Sequence, residues 1–214
     1  MTRRIATLLL LGGLASLAPA RSGAQVFGQY TGGSVVPMND HVFGAYVEMS
    51  GNLFGVVGQL RSSFEPDMDF GFAGGVGIHD FGATQVTAVR LATDLKALVV
   101  RRDASVPLDV VVGAGVGLEG GDDLNALRLG PTAIASRGFG PEGDPSVRPY
   151  AGLQLLFSRE FVRGHRDSGL SIPLHLGTEA RLARGLRLAV DVQWRVGHQY
   201  GDDIAFSTGF TTAF

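Results

Sequence analysis

The 214-residue chain has no cysteine, so disulfide staples and thiol chemistry are excluded. Charged residues make up only 18%, fewer than an ordinary domain carries. The formal net charge is −2, and with no basic excess nucleic acid is not an expected partner. Beyond the amino end no apolar run approaches the roughly 20 residues of a spanning helix, so an exported chain would cross a membrane as a closed barrel or not at all. Glycine, by contrast, is abundant at 32 residues.

The amino end reads as a secretory leader over residues 1–24. MTRR supplies positive charge, Ile5 to Leu17 an apolar run broken by Gly12 and Gly13, and Ala18-Pro19-Ala20 or Ser22-Gly23-Ala24 the small residues for cleavage. Its removal takes away Arg3, Arg4 and Arg21 and leaves a more acidic mature protein. Residues 25–40, with Gly, Ser and Pro37, read as a short periplasmic lead.

From His41 to Phe214 the chain falls into about ten alternating segments of roughly the 9 to 11 residues that a tilted barrel strand needs. The cleanest is LRLAVDVQWRV, in which Leu186, Leu188, Val190, Val192, Trp194 and Val196 oppose Arg187, Ala189, Asp191, Gln193 and Arg195. A helix competes over 86–100, where Leu91, Leu95 and Leu98 also fit helical spacing, but the β-branched content and the Arg90, Asp94, Lys96 alternation favour a strand. Pro131 must sit at a bulge or an unpaired position. If the first hairpin or the 86–100 segment were not part of the wall, eight strands would remain.

Alternation alone does not say which face is wet. The glycines decide it. An exterior of Gly and Ala with few charges would be poorly soluble, whereas a glycine-lined lumen gives room to charged side chains from neighbouring strands. The expected lumen network comprises Glu48, Arg61, Arg90, Asp94, Lys96, Asp109, Arg128, Glu179, Arg181, Arg187, Asp191 and Arg195, in which both signs are present. A one-residue slip would turn such charges to lipid, where an arginine at the midplane costs about 2 to 4 kcal/mol. The predicted fold is therefore all-β, a closed antiparallel up-and-down transmembrane barrel.

The last segment, IAFSTGFTTAF, puts Phe206, Phe210 and Phe214 on one side and ends on a bare aromatic carboxyl terminus. It resembles the final strand of bacterial outer-membrane barrels, and the resemblance implies recognition of those three positions by the barrel-assembly machinery. From His41 onward the chain resembles the small OmpA-like and OmpX-like outer-membrane barrels, which implies outer-membrane lipid around it and no single activity. With Phe214 periplasmic, the turns near Ser62–Asp67, Arg101–Val106, Gly138–Ser146 and Ala183 share its side, and the loops near Ser50, Asp80, Gly120–Asn125, Arg159–Ser168 and Gly197–Asp203 face outward.

Other constellations are weaker. Gly115-Val-Gly117-Leu-Glu-Gly120 matches a dinucleotide fingerprint, but another strand pattern follows instead of a helix, so no cofactor is expected. Asp122, Asp123, His198, Asp202 and Asp203 resemble omptin proteases in residue type but not in spacing. His165, Asp167 and Ser168 form the one compact set of lipid-deacylase type. His79 and His175 read as network members, without a second ligand at metal spacing. Arg159, Arg163 and Arg166 are candidate contacts for lipid phosphates. The leading expectation is a non-enzymatic barrel with a structural or narrow-pore role. A barrel enzyme and a soluble lipocalin-like carrier of apolar ligands remain as alternatives, and the carrier requires Leu188, Val190 and Trp194 to point inward.

Overall fold

The computed structural model describes residues 32–82, 84–103, 105–141, 145–196 and 204–214. The leader and the candidates His198, Asp202 and Asp203 lie outside the described residues. The strands are β1 (His41–Ser50), β2 (Leu53–Glu65), β3 (Met68–Asp80), β4 (Gln85–Val100), β5 (Asp109–Gly121), β6 (Leu124–Ser136), β7 (Val147–Gln154), β8 (Leu156–Val162), β9 (His165–Ala183), β10 (Leu186–Val196) and β11 (Ile204–Ala213). All pairings are antiparallel; consecutive strands pair except β7 with β8, and β11 pairs back onto β1 to close the ring. Since β7 and β8 both lie between β6 and β9, they are two halves of one stave, and the barrel has ten staves.

The interruption between β7 and β8 has a chemical cause. The ladder to β6 keeps one register on both sides, Thr132 opposite Gln154 and Leu129 opposite Phe157, so no residue is inserted. Pro131 has no N–H to give, and the contact that remains runs the other way, from the Leu155 N–H to the Pro131 carbonyl at 3.0 Å. The proline is thus accommodated by a gap in pairing rather than by a bulge. The 86–100 segment is a strand, as its alternation required.

Two-residue turns occur at both ends. Pro66-Asp67, Asp122-Asp123, Arg163-Gly164 and Arg184-Gly185 each join two strands, with Asp67, Asp123, Arg163, Gly164 and Gly185 at positive φ. The stretch from Arg159 to Ser168, expected as a loop, is mostly hairpin: β8 continues to Val162 and β9 begins at His165.

The apolar side chains face out. Trp194 is 56% exposed, Leu176 65% and Phe72 51%, whereas Arg90, Glu48 and Arg61 are 0%, 1% and 2% exposed. A soluble barrel has the reverse arrangement, so the lipocalin-like alternative is overturned by Val192 and Trp194 outside with Asp191 and Arg195 within. The small apolar cluster inside consists of Tyr46, Val57, Ala73, Ala92 and Ala189.

Candidate functional site: the lumen and its charge clusters

Three polar clusters occupy the lumen. The first is built on one row of residues across β2, β3 and β4, where Arg61 faces Gly71 and Gly71 faces Asp94. Because Gly71 has no side chain, the guanidinium lies across it and donates to Asp94 at 2.6 and 3.0 Å; a β-carbon at Gly71 would fall on the guanidinium. The same guanidinium donates from Nε to Asp69 at 3.0 Å and pairs with it again through Nη2. Lys96 stands 3.9 Å from Asp69 on the other side. One buried arginine therefore holds two carboxylates, which makes its own desolvation tolerable.

The second cluster runs from β1 through β3, β4, β5 and β6 to β8, nearer the end of the barrel away from Phe214. Glu48 on β1 reaches Arg90 on β4 over Gly55 and Gly77, which leave the intervening strands bare. Arg90 Nε is 3.3 Å from Glu119, Arg128 donates to Glu119 at 3.0 Å and to Glu160 at 2.8 Å, and His79 Nε2 lies 2.6 Å from Glu119. Carboxylates and cations alternate along this chain, and every member is 5% exposed or less. In the third cluster Tyr150 donates to Asp191 at 2.9 Å, and His175 Nδ1 is 3.3 Å from the same carboxylate.

Of the twelve charges expected in the lumen, the structure brings Arg61, Asp94 and Lys96 into the first cluster, Glu48, Arg90 and Arg128 into the second, and Asp191 into the third. Arg195 is buried on the same wall. Asp109 joins none of them; it accepts the Arg102 backbone N–H at 2.8 Å at the barrel mouth. Arg181 and Arg187 line that mouth, where they donate to Ser146 Oγ and to the Pro145 carbonyl, each at 3.2 Å. Sequence reasoning missed Asp69, Glu119 and Glu160, because each stands within four residues of a turn and reads as turn polarity. Strict parity extended through the turns would have found them: Asp69 with Gly71, Glu119 with Gly117, and Glu160 with Ser158.

The lead enters this site. Gly32 and Gly33 are buried, and Val36 is 7% exposed. The Gly32 N–H donates to Glu179 at 2.6 Å and the Val36 N–H to Asp69 at 2.8 Å. Lys96 Nζ donates to the Ser34 carbonyl at 2.8 Å and to that of Gly32 at 3.4 Å, and Ser136 Oγ donates to the Gly33 carbonyl at 2.9 Å. A β-carbon at Gly33 would collide with Ser136, so the segment fits here because it is bare backbone. Beside it, at the end of the barrel that carries Phe214, remains a cavity of about 360 Å³ lined by Arg61, Lys96, Arg148, Glu179, Arg181 and Arg187 among others.

Among the described residues, His165, Asp167 and Ser168 are not brought together as a catalytic set. Asp167 accepts the Ser168 N–H, and His165 is exposed at the head of β9; no hydrogen bond joins His165 to Ser168 among the described residues. Asp122 and Asp123 form the β5–β6 turn, and no group of three metal-ligating side chains occurs among the described residues.

No protein-family model and no curated protein sequence matches the chain. Among solved structures, the COG4313 outer-membrane channel from Pseudomonas putida F1 aligns with a TM-score of 0.55 at 12% identity, over 89% of this chain and 100% of that one. LpxR from Salmonella typhimurium aligns with a TM-score of 0.46 at 9% identity, over 81% and 83% of the two chains. The N-terminal β-barrel domain of Pseudomonas aeruginosa OprF gives 0.37 at 13% identity, over 83% and 98%. At these identities the likeness is one of fold, and the Pseudomonas putida channel carries it. Apolar wall outside, charge inside and ten closed staves together give the chain the fold of a small transmembrane β-barrel, the fold of the Pseudomonas putida outer-membrane channel.

Proposed function

We propose that this barrel is structural and non-enzymatic, with a lumen closed to solutes. The observation that carries the reading is the set of ion pairs inside the lumen, in which Arg61, Arg90, Glu48 and Glu119 have almost no contact with solvent. Arg61 holds each of its two carboxylates by two hydrogen bonds, and separating such a pair inside the barrel leaves a buried charge at a cost of about 3 to 5 kcal/mol. The lead adds a second closure at the mouth through its bonds to Lys96, Ser136, Glu179 and Asp69.

Planar-bilayer recording tests this. The wild-type barrel is expected to show no discrete conductance steps, and a variant with Arg61→Ala, Arg90→Ala and residues 32–37 deleted is expected to show them. Discrete wild-type steps would sink the closed-lumen reading in favour of a narrow pore. That second reading draws its support from the likeness in fold to the Pseudomonas putida channel.

A further inference from the structure

The hairpin of β8 and β9 places Arg159 and Arg166 on the outer wall. Arg159 faces Leu127 on β6 and Ser168 on β9, while Arg166 faces Phe161, so the two arginines are diagonal neighbours across the hairpin. In a sheet such neighbours are about 7 to 8 Å apart at the backbone, close enough for two long side chains to converge on one group. Both are exposed, and among the described residues neither guanidinium has a hydrogen-bond or ion-pair partner. The carboxylates next to them in sequence do not compete. Glu160 points inward to Arg128, and Asp167 takes the Ser168 N–H.

Beside the pair, and in the same two ladder rows, lies a groove of about 720 Å³ lined on its apolar side by Val89, Leu91, Leu118, Leu127 and Phe161. These residues belong to the lipid-facing belt, so the groove opens to acyl chains. Arg159 is three residues from the end of β8, about 10 Å of tilted strand from the turn, at the depth where an arginine on the lipid face costs about 0 to 1 kcal/mol. Two cations with free donors at headgroup depth, at one end of a greasy groove, match one kind of molecule: a lipid whose headgroup carries phosphate. Guanidinium forks suit phosphate oxygens, and the groove beside them suits the apolar part of the same lipid.

We infer that Arg159 and Arg166, with the groove of Leu91, Leu118, Leu127 and Phe161, form a site for a phosphorylated lipid of the leaflet opposite the Phe214 end. Arg163, on the turn between them, is peripheral to the site, since its place at the hairpin tip sets it beyond the groove. The inference rests on the membrane placement and is independent of whether the lumen conducts.

Native mass spectrometry of the full chain in mild detergent tests it, with diphosphorylated lipid A, its fully dephosphorylated form and inorganic phosphate as probes. The wild type is expected to retain the diphosphorylated lipid and to bind the dephosphorylated form at least about tenfold more weakly. Arg159→Gln with Arg166→Gln is expected to lose that preference, Arg159→Lys with Arg166→Lys to keep part of it, and Arg163→Gln to keep nearly all. Unchanged heat-modifiable migration confirms that the variants fold. Equal binding of both lipid forms by the wild type would overturn the inference, as would undiminished preference in the double glutamine variant. Displacement of the lipid by inorganic phosphate at equal concentration would reassign the pair to free phosphate and overturn it equally.

Discussion

Lys96 on β4 donates to the backbone carbonyl of Ser34 at 2.8 Å, which ties the barrel wall near the mouth to a segment 62 positions earlier in the chain. An ammonium buried to 3% exposure is costly unless its donors are used. Here carbonyls of Gly32 and Ser34 use them, with Asp69 at 3.9 Å.

Lys96→Met keeps the volume and removes the donors. The lead is then expected to leave the mouth, and protease is expected to cut residues 32–40 at least about tenfold faster than in the wild type, given about 1 kcal/mol or more per lost bond. The barrel itself should stay folded, as read by heat-modifiable migration. Equal cleavage rates would show that Lys96 does not hold the segment.

Arg61→Ala should be the most destabilising lumen substitution of the first cluster, since it strands Asp69 and Asp94 together. A loss of about 3 to 5 kcal/mol is expected in urea unfolding followed by fluorescence of Trp194. Adding Asp69→Asn and Asp94→Asn to Arg61→Met should recover part of it, because no carboxylate is then stranded and Lys96 keeps the carbonyls of Gly32 and Ser34. Failure of the triple variant to recover would mean that the arginine acts by packing instead.

Two glycines predict opposite outcomes for the same substitution. A β-carbon at Gly209 would strike the Tyr46 ring and the Ala45 carbonyl, whereas at Gly58 the nearest atom, on Phe43, is 3.8 Å away. Gly209→Ala is expected to destabilise by about 1 to 3 kcal/mol and Gly58→Ala to stay within about 0.5 kcal/mol. The same unfolding measurement reads both.

Removal of Phe214 tests the carboxyl-terminal signal. The residue is 72% exposed on the outer surface and its N–H donates to the His41 carbonyl, so it contributes little packing. We expect several-fold less folded protein in cells and unchanged folding into lipid vesicles without assembly machinery. Equal loss in both settings would mean that the residue is needed for the fold and not for recognition.

The wall was legible because period-two alternation survives on strands as plain as β10, where each apolar residue is followed by a polar or small one. The inward and outward faces were legible because glycine marks the places where long side chains cross. The strand ends were not. Asp123 and Arg163 turn the chain at positive φ without being glycine, so the turns at Asp122-Asp123 and Arg163-Gly164 look longer in sequence than they are. The lead was unreadable for a different reason: its place is set by backbone N–H and carbonyl groups, which every residue carries and no side-chain pattern announces.

The ion pairs also gauge girth. Glu48 and Arg90 stand on β1 and β4, with two staves between them, and Arg61 on β2 reaches to β4, so these partners meet only when the wall curves tightly. On a flat sheet, or in a wider ring of more staves, the same side chains would splay apart and face water singly. The interior thus sets the circumference: a ring of any other size would forfeit contacts that this one completes.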